Sequence, residues 1–182
     1  MAIREILLLG NPELHRVSTG VERHELGAVQ CIIRDLFDTM AQFQERHGWG
    51  RAIAAPQIGE HRRIVCMYVD REIAMINPVL SDHSQERITV WEDCMSFPDL
   101  LVRLSNPRAC RLTYRDETWR EHEVELSEDY AELLQHEVDH LDGVLAVQRA
   151  IDGQSFALRQ TMPDKNLALS GVFRESIADP SR

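Results

Sequence analysis

Gln135-His136-Glu137-Val138-Asp139-His140-Leu141-Asp142-Gly143 contains His-Glu-x-x-His, and this stretch decides how the rest of the chain must be arranged. On a helix, residues four apart lie about 40° apart around the axis and roughly one 5.4 Å turn along it. His136 and His140 can therefore present two imidazoles to one metal ion. Glu137 is offset by about 100° from His136, close enough to reach water activated by that ion and too far round to crowd in as a ligand. Two His with a flanking Glu suit metal-assisted hydrolysis, with the carboxylate moving protons. The competing reading is a solvated polar helix face that happens to carry two His. The surroundings argue against it. Ser127 is expected as N-cap, Glu128 and Asp129 put acids in the first turn, and Gly143 is a good C′ residue. Ala131, Leu134, Val138 and Leu141 form an apolar stripe that would bury one side of the helix.

Upstream, Glu25 to Arg46 is expected to be a long amphipathic helix. Leu26, Val29, Ile33, Leu36, Met40 and Phe43 recur at spacings of three and four, and Gly48 ends the pattern. Between the helices lie strand patterns: 63–69, 74–76 followed by a turn at Asn77-Pro78, 86–91, 109–115 and 119–126. Residues 1–24 read as an arm with a strand-like start and a turn at Gly10-Asn11-Pro12, its His15 and His24 on the surface. The small-residue stretch Gly48–Gly59 reads on local evidence as a plain turn holding Gln57. Ser155–Gln160 is expected to be a short helix. The fold class is thus α+β: antiparallel strands packed around a central metal-binding helix, with an amphipathic helix near the N-terminus. Residues 1–165 form one domain, and 166–182 a polar tail.

With 30 acidic and 20 basic side chains, the net charge is −10. That argues against non-specific binding to nucleic acid or anionic membranes, which requires clustered cations. No apolar run is long enough to span a membrane, and the N-terminus lacks a signal-peptide pattern, so a cytoplasmic location is expected. The four cysteines show no close pairing. Cys31, Cys66 and Cys110 read as small core residues, whereas Cys94 stands among polar residues after a strand.

A catalytic zinc-type centre needs a third protein ligand. Cys94 is the leading candidate, with His122 or an acidic residue as alternatives. A thiolate with two imidazoles suits Zn²⁺, and also Fe²⁺, Co²⁺ or Ni²⁺.

Three segments, in order, resemble the peptide deformylase family: Gly50-Arg51-Ala52-Ile53-Ala54-Ala55-Pro56-Gln57, Glu92-Asp93-Cys94-Met95-Ser96 and Gln135-His136-Glu137-Val138-Asp139-His140. Gly10-Asn11-Pro12-Glu13-Leu14 and Asn77-Pro78 also fit, so that the resemblance covers about residues 4–150. It implies that Cys94, His136 and His140 bind one divalent ion, with Fe²⁺ as the native metal. It implies Glu137 as general base, and the Gln57 amide with the backbone N–H of Met95 as donors to the developing oxyanion. Gly50, Arg51, Ile53 and Phe97 would contact substrate. The implied reaction removes the formyl group from N-terminal formyl-methionine of nascent peptides, met at the ribosome. The alternatives are a related amidohydrolase acting on another N-acyl substrate, and a non-catalytic metal-containing formyl-peptide binder. The chain departs from the family pattern at five positions. Ala52 replaces a Gly, which raises the question of a lost positive-φ conformation. Asp93 replaces another Gly, Arg51 an apolar residue, and Leu101 and Asn106 stand where arginines are usual.

Overall fold

The computed structural model describes residues 2–162 and the backbone of 173–175. Its elements run α1 (Leu26–His47), β1 (Ala52–Ala54), β2 (Ile64–Tyr68), β3 (Glu72–Ser81), β4 (Arg87–Glu92), β5 (Leu100–Pro107), β6 (Ala109–Arg115), β7 (Glu121–Ser127), α2 (Asp129–Leu141), β8 (Phe156–Leu158) and β9 (Phe173–Glu175). Among the described residues β1-β2-β3-β6-β7-β9 form one sheet and β4-β5-β8 a second. Every strand pairing in them is antiparallel. No described helix is long and apolar enough to cross a membrane.

The larger sheet separates the two helices, and strand alternation decides which side chain meets which. Ile53, Ile64 and Cys66 face α1 and pack on Val29, Ile33, Leu36, Met40 and Phe43. Their neighbours Ala52, Ala54, Val65 and Met67 point the other way and pack with Leu133, Leu134 and Leu141 of α2. Adjacent strand residues point to opposite faces, so one short sequence such as β1 serves both layers. The small sheet contributes a third cluster, in which Cys94 and Phe97 pack with Val102, Leu104 and Ala146.

Several expectations change. Ser127 ends β7, and Glu128 (φ 53°) precedes α2 with no side-chain cap. Asn77-Pro78 is not a turn. It is a bulge within β3, where the register shifts between Ile76 and Val79. Proline has no N–H for the ladder, and Asn77 takes φ 52° while its amide bonds the backbone of Val21 on both sides at 2.8 Å. The stretch after Gly48 is strand β1 followed by a 3-10 turn, Ala55–Ile58. Ser155–Gln160 gives β8 rather than a helix, because its backbone pairs with β5. The pattern names no element at Leu100–Pro107, which is nevertheless the centre of the small sheet. Cys31 is exposed. It lies two residues from both Val29 and Ile33, about 200° round the helix, and so on the solvent face. The start of the arm is extended without being a strand, with Leu7 N–H donating to Gln57 O and Leu9 N–H to Ser96 O, each at 2.8 Å, and a 3-10 turn follows at Pro12–His15. His15 and His24 are exposed, as expected. The predicted tail at 166–182 lies outside the described residues except for Phe173–Glu175, whose backbone pairs with β7.

Candidate metal centre

The middle of α2 is largely buried, which is why its polar residues need partners. His136, Glu137 and His140 are 8%, 3% and 1% exposed. The helix ends at Asp142 and turns away through Gly143 at φ 72°, where a side chain would collide with the backbone of His15. The N-terminal arm is thereby packed against the end of α2, and Ser18 N–H donates to Leu141 O at 2.8 Å.

Cys94 arrives from the turn between β4 and β5. Its Sγ stands 3.2 Å from His140 Nε2, which in turn stands 3.2 Å from His136 Nε2. Three donors bonded at 2.0–2.3 Å to one tetrahedral ion would stand roughly 3.3–3.7 Å apart. Cys94, His136 and His140 therefore fit a single divalent ion, and among the described residues they are the group whose donor atoms converge. The alternative ligand His122 is elsewhere, 2.8 Å from Asp116. Asp93 does not turn to the donors either; its carboxylate accepts from Arg159 at 2.9 Å.

The rings are oriented from behind. His136 Nδ1 donates to Glu92 Oε2 at 2.8 Å, which leaves Nε2 with its lone pair toward Cys94 and His140. Glu92 Oε1 accepts from Asn106 at 2.5 Å, so the position where an arginine was expected still serves that carboxylate. Burial, reinforced by the neighbouring His136, holds His140 well below its usual pKa and hence neutral, the form that ligates metal. Burial also pushes the Glu137 carboxyl up to about 7. Its Oε2 has no hydrogen-bond partner among the described residues.

Gln57 is 1% exposed and aimed by its own loop. Its Oε1 accepts from Ala54 N–H at 2.8 Å, which turns the NH₂ toward Ser96 Oγ (3.3 Å) and Cys94 Sγ (3.6 Å). Ala52 does not need a positive φ; it is an ordinary buried strand residue, and Gly50 carries the unusual conformation at φ 115°.

A narrow cleft of about 60 Å³ opens beside these groups and reaches Gln57, Cys94, His136 and Glu137. A water needs roughly 10–15 Å³ by this measure, so the cleft has room for a few waters or a group the size of formyl. Of the nominated residues, Gly50, Arg51 and Met95 line it. Ile53 and Phe97 do not. Ile53 points across β1 to the α1 side, and Phe97 is buried in the small-sheet cluster. Five lining residues were not anticipated as contacts: Trp49, Ala52, Asp93, Glu132 and Leu133. Glu132 was accessible to reasoning, since it lies one turn before His136 on the same helix face. The pairing of Glu92 with His136, and of Asn106 with Glu92, gave no signal, because tertiary packing alone brings these residues together.

The family described as Polypeptide deformylase matches residues 3–155. A peptide deformylase of Leptospira biflexa is 38% identical over 165 residues, covering 82% of this chain and 88% of that protein. Peptide deformylase 1 of Prochlorococcus marinus is 37% identical over 170 residues, 86% of this chain and 85% of that one. The crystal structure of peptide deformylase from Thermotoga maritima superposes with a TM-score of 0.77 at 27% identity, over 84% of this chain and 100% of that chain. That of a Synechococcus elongatus peptide deformylase in complex with actinonin gives 0.76 at 25% identity, over 85% and 88%.

Proposed function

The chain belongs to the peptide deformylase family, and on that premise we propose that it removes the N-formyl group from the N-terminal methionine of nascent peptides. The observation that carries this reading is the convergence of Cys94, His136 and His140 beside Gln57 and Glu137 at the end of a cleft sized for a formyl group. Those three residues would hold one divalent ion, Fe²⁺ as the native metal, with Zn²⁺, Ni²⁺ or Co²⁺ also suited to the donors. Such an ion supplies Lewis acidity and makes water reactive near neutral pH.

The chain's own groups would do the rest. Glu137, buried and with its carboxyl poised near neutrality, would accept a proton from the attacking water and return it to the departing amine. Gln57 would donate from its fixed amide to the oxygen that gains negative charge, together with the Met95 backbone N–H. One such preorganised donor lowers a barrier by roughly 3–4 kcal/mol. Glu92 and Asn106 would keep the His136 ring aligned. Encounter with the substrate would take place at the ribosome in the cytoplasm.

A substrate panel on anaerobically purified protein, with its metal quantified, tests this. Formyl-methionyl peptides should be turned over and their acetyl counterparts should not. Preference for acetyl compounds, or no turnover by fully metallated protein, would refute it. A second reading, another N-formyl amine as substrate, has one observation in its favour: the charged Arg51 on the cleft wall. The non-catalytic reading would have been favoured by a fourth protein ligand, but Asp93 is engaged by Arg159 instead.

A further inference from the structure

We propose that the Arg51 guanidinium selects N-formylated substrates bearing a carboxylate close to the formylated amine; this rests on the deformylase reading and narrows its substrate class.

The loop that carries Arg51 is braced on every side. Trp49 is held between the edge of Phe43, with ring centroids 4.8 Å apart, and the Arg159 guanidinium, 4.0 Å from its ring centre. Arg159 is fixed in turn by Asp93 and by Pro98 O, each at 2.9 Å. Gly50 sits so close to Met95 that an added Cβ would lie 2.7 Å from the Met95 methyl, and its carbonyl accepts from the Gln44 side chain. Arg51 O accepts from Tyr68 N–H at 2.8 Å.

Against this fixed backbone, the Arg51 side chain is the exception. It is partly buried and lines the same cleft as Cys94, His136 and Glu137. Among the described residues its guanidinium makes no hydrogen bond or ion pair. Of the other acidic groups lining the cleft, Asp93 is held by Arg159 and Glu132 has an interaction of its own, while Glu137 stands beside Cys94 and His136. A guanidinium offers five N–H donors in a planar fork that matches a carboxylate, and an apolar side chain gives it nothing to bind. The carboxylate could be the α-carboxylate of a formylated amino acid or an acidic side chain at the first or second residue. The chemistry at Arg51 is the same for each.

The test compares kcat/KM of the metal-loaded enzyme on formyl-Met amide, free formyl-Met, formyl-Asp amide and formyl-Met-Asp amide. A charge-assisted hydrogen bond of about 1.5–3 kcal/mol predicts a preference of roughly ten- to hundredfold for at least one carboxylate-bearing compound over formyl-Met amide. The compound that shows it identifies the source. Arg51→Ala should bring the carboxylate-to-amide ratio to near one, Arg51→Lys should restore part of it, and the wild-type ratio should fall as salt rises. A wild-type ratio near one, or a preference that survives in Arg51→Ala, overturns the proposal while leaving the deformylase reading intact. Failure to turn over any formyl compound overturns both.

Discussion

His136 and His122 each hold a carboxylate at 2.8 Å, the first through Glu92 at the end of β4, the second through Asp116 in the turn between β6 and β7. Bond length does not distinguish them. Burial does: the side chains of His136 and Glu92 are 7% and 2% exposed, those of His122 and Asp116 16% and 30%. So does the environment of the ring. His136 turns its second nitrogen to Cys94 and His140, whereas His122 stacks flat on Tyr114, with ring centroids 4.9 Å apart. Glu92 orients a buried imidazole that faces two further donors. Asp116 closes a hairpin, accepting also from Thr118 and Arg120. A histidine–carboxylate pair therefore indicates function only when its other nitrogen has convergent donors to meet.

The largest test of that contrast is at the buried centre. Glu137→Gln should lower kcat about 100- to 10,000-fold while metal content by mass spectrometry stays unchanged, the scale expected for a lost general base. Activity near wild type would remove Glu137 from that role. Next, Cys94→Ser should sharply reduce bound metal, and His122→Ala should not alter it. If His122→Ala also loses metal, the division drawn between the two pairs is wrong. Third, Glu92→Gln should weaken metal affinity about 10- to 100-fold, as removal of a group orienting a ligand does, while Asp116→Asn leaves it untouched. Equal metal affinities for the two variants in a chelator competition would erase the distinction.

The smallest effect belongs to the turn. Asp116→Asn should cost about 0.5–1.5 kcal/mol in a urea melt at neutral pH, the worth of an ordinary hydrogen bond. Partial burial raises the Asp116 carboxyl, but bonds from His122, Thr118 and Arg120 outweigh it and bring its pKa to about 2. The folded value lies below the unfolded one, so this contribution is complete above about pH 4 and is lost as pH falls through 2. Wild type and Asp116→Asn should accordingly converge in stability toward pH 2. A constant difference down to that pH would show that the ionised carboxylate is not what holds the turn.

Much of this was readable before the structure. Residues on α1 and α2 repeat with the helical period because each helix buries one face, and that period survives in the order of residues. Fidelity was lower where pairing partners come from afar. The apolar run at 100–104, followed by Asn106-Pro107, lacks clear alternation, and β4 and β8 on the two edges of β5 supply its ladder. Ser155–Gln160 has no local feature that distinguishes helix from strand; its pairing with β5 decides. The cleft shows the same limit. Ile53 was nominated through the family resemblance, but alternation along β1 sends it to the opposite layer.

The order of residues alone put two imidazoles together and left Cys94 as the leading candidate for a third donor. His-Glu-x-x-His fixes two nitrogens on one helix face by covalent geometry, and the Cys94 and Gln57 segments carry chemistry that few other residue types could supply. Tertiary structure alone decided what surrounds those donors: Glu92 and Asn106 behind His136, Arg159 drawing Asp93 aside, and Arg51 on the cleft wall with no partner for its guanidinium among the described residues. The reason is physical. A motif is short-range and set by backbone periodicity, whereas the partner of a buried charge is whichever group the packing of distant strands brings within 3 Å.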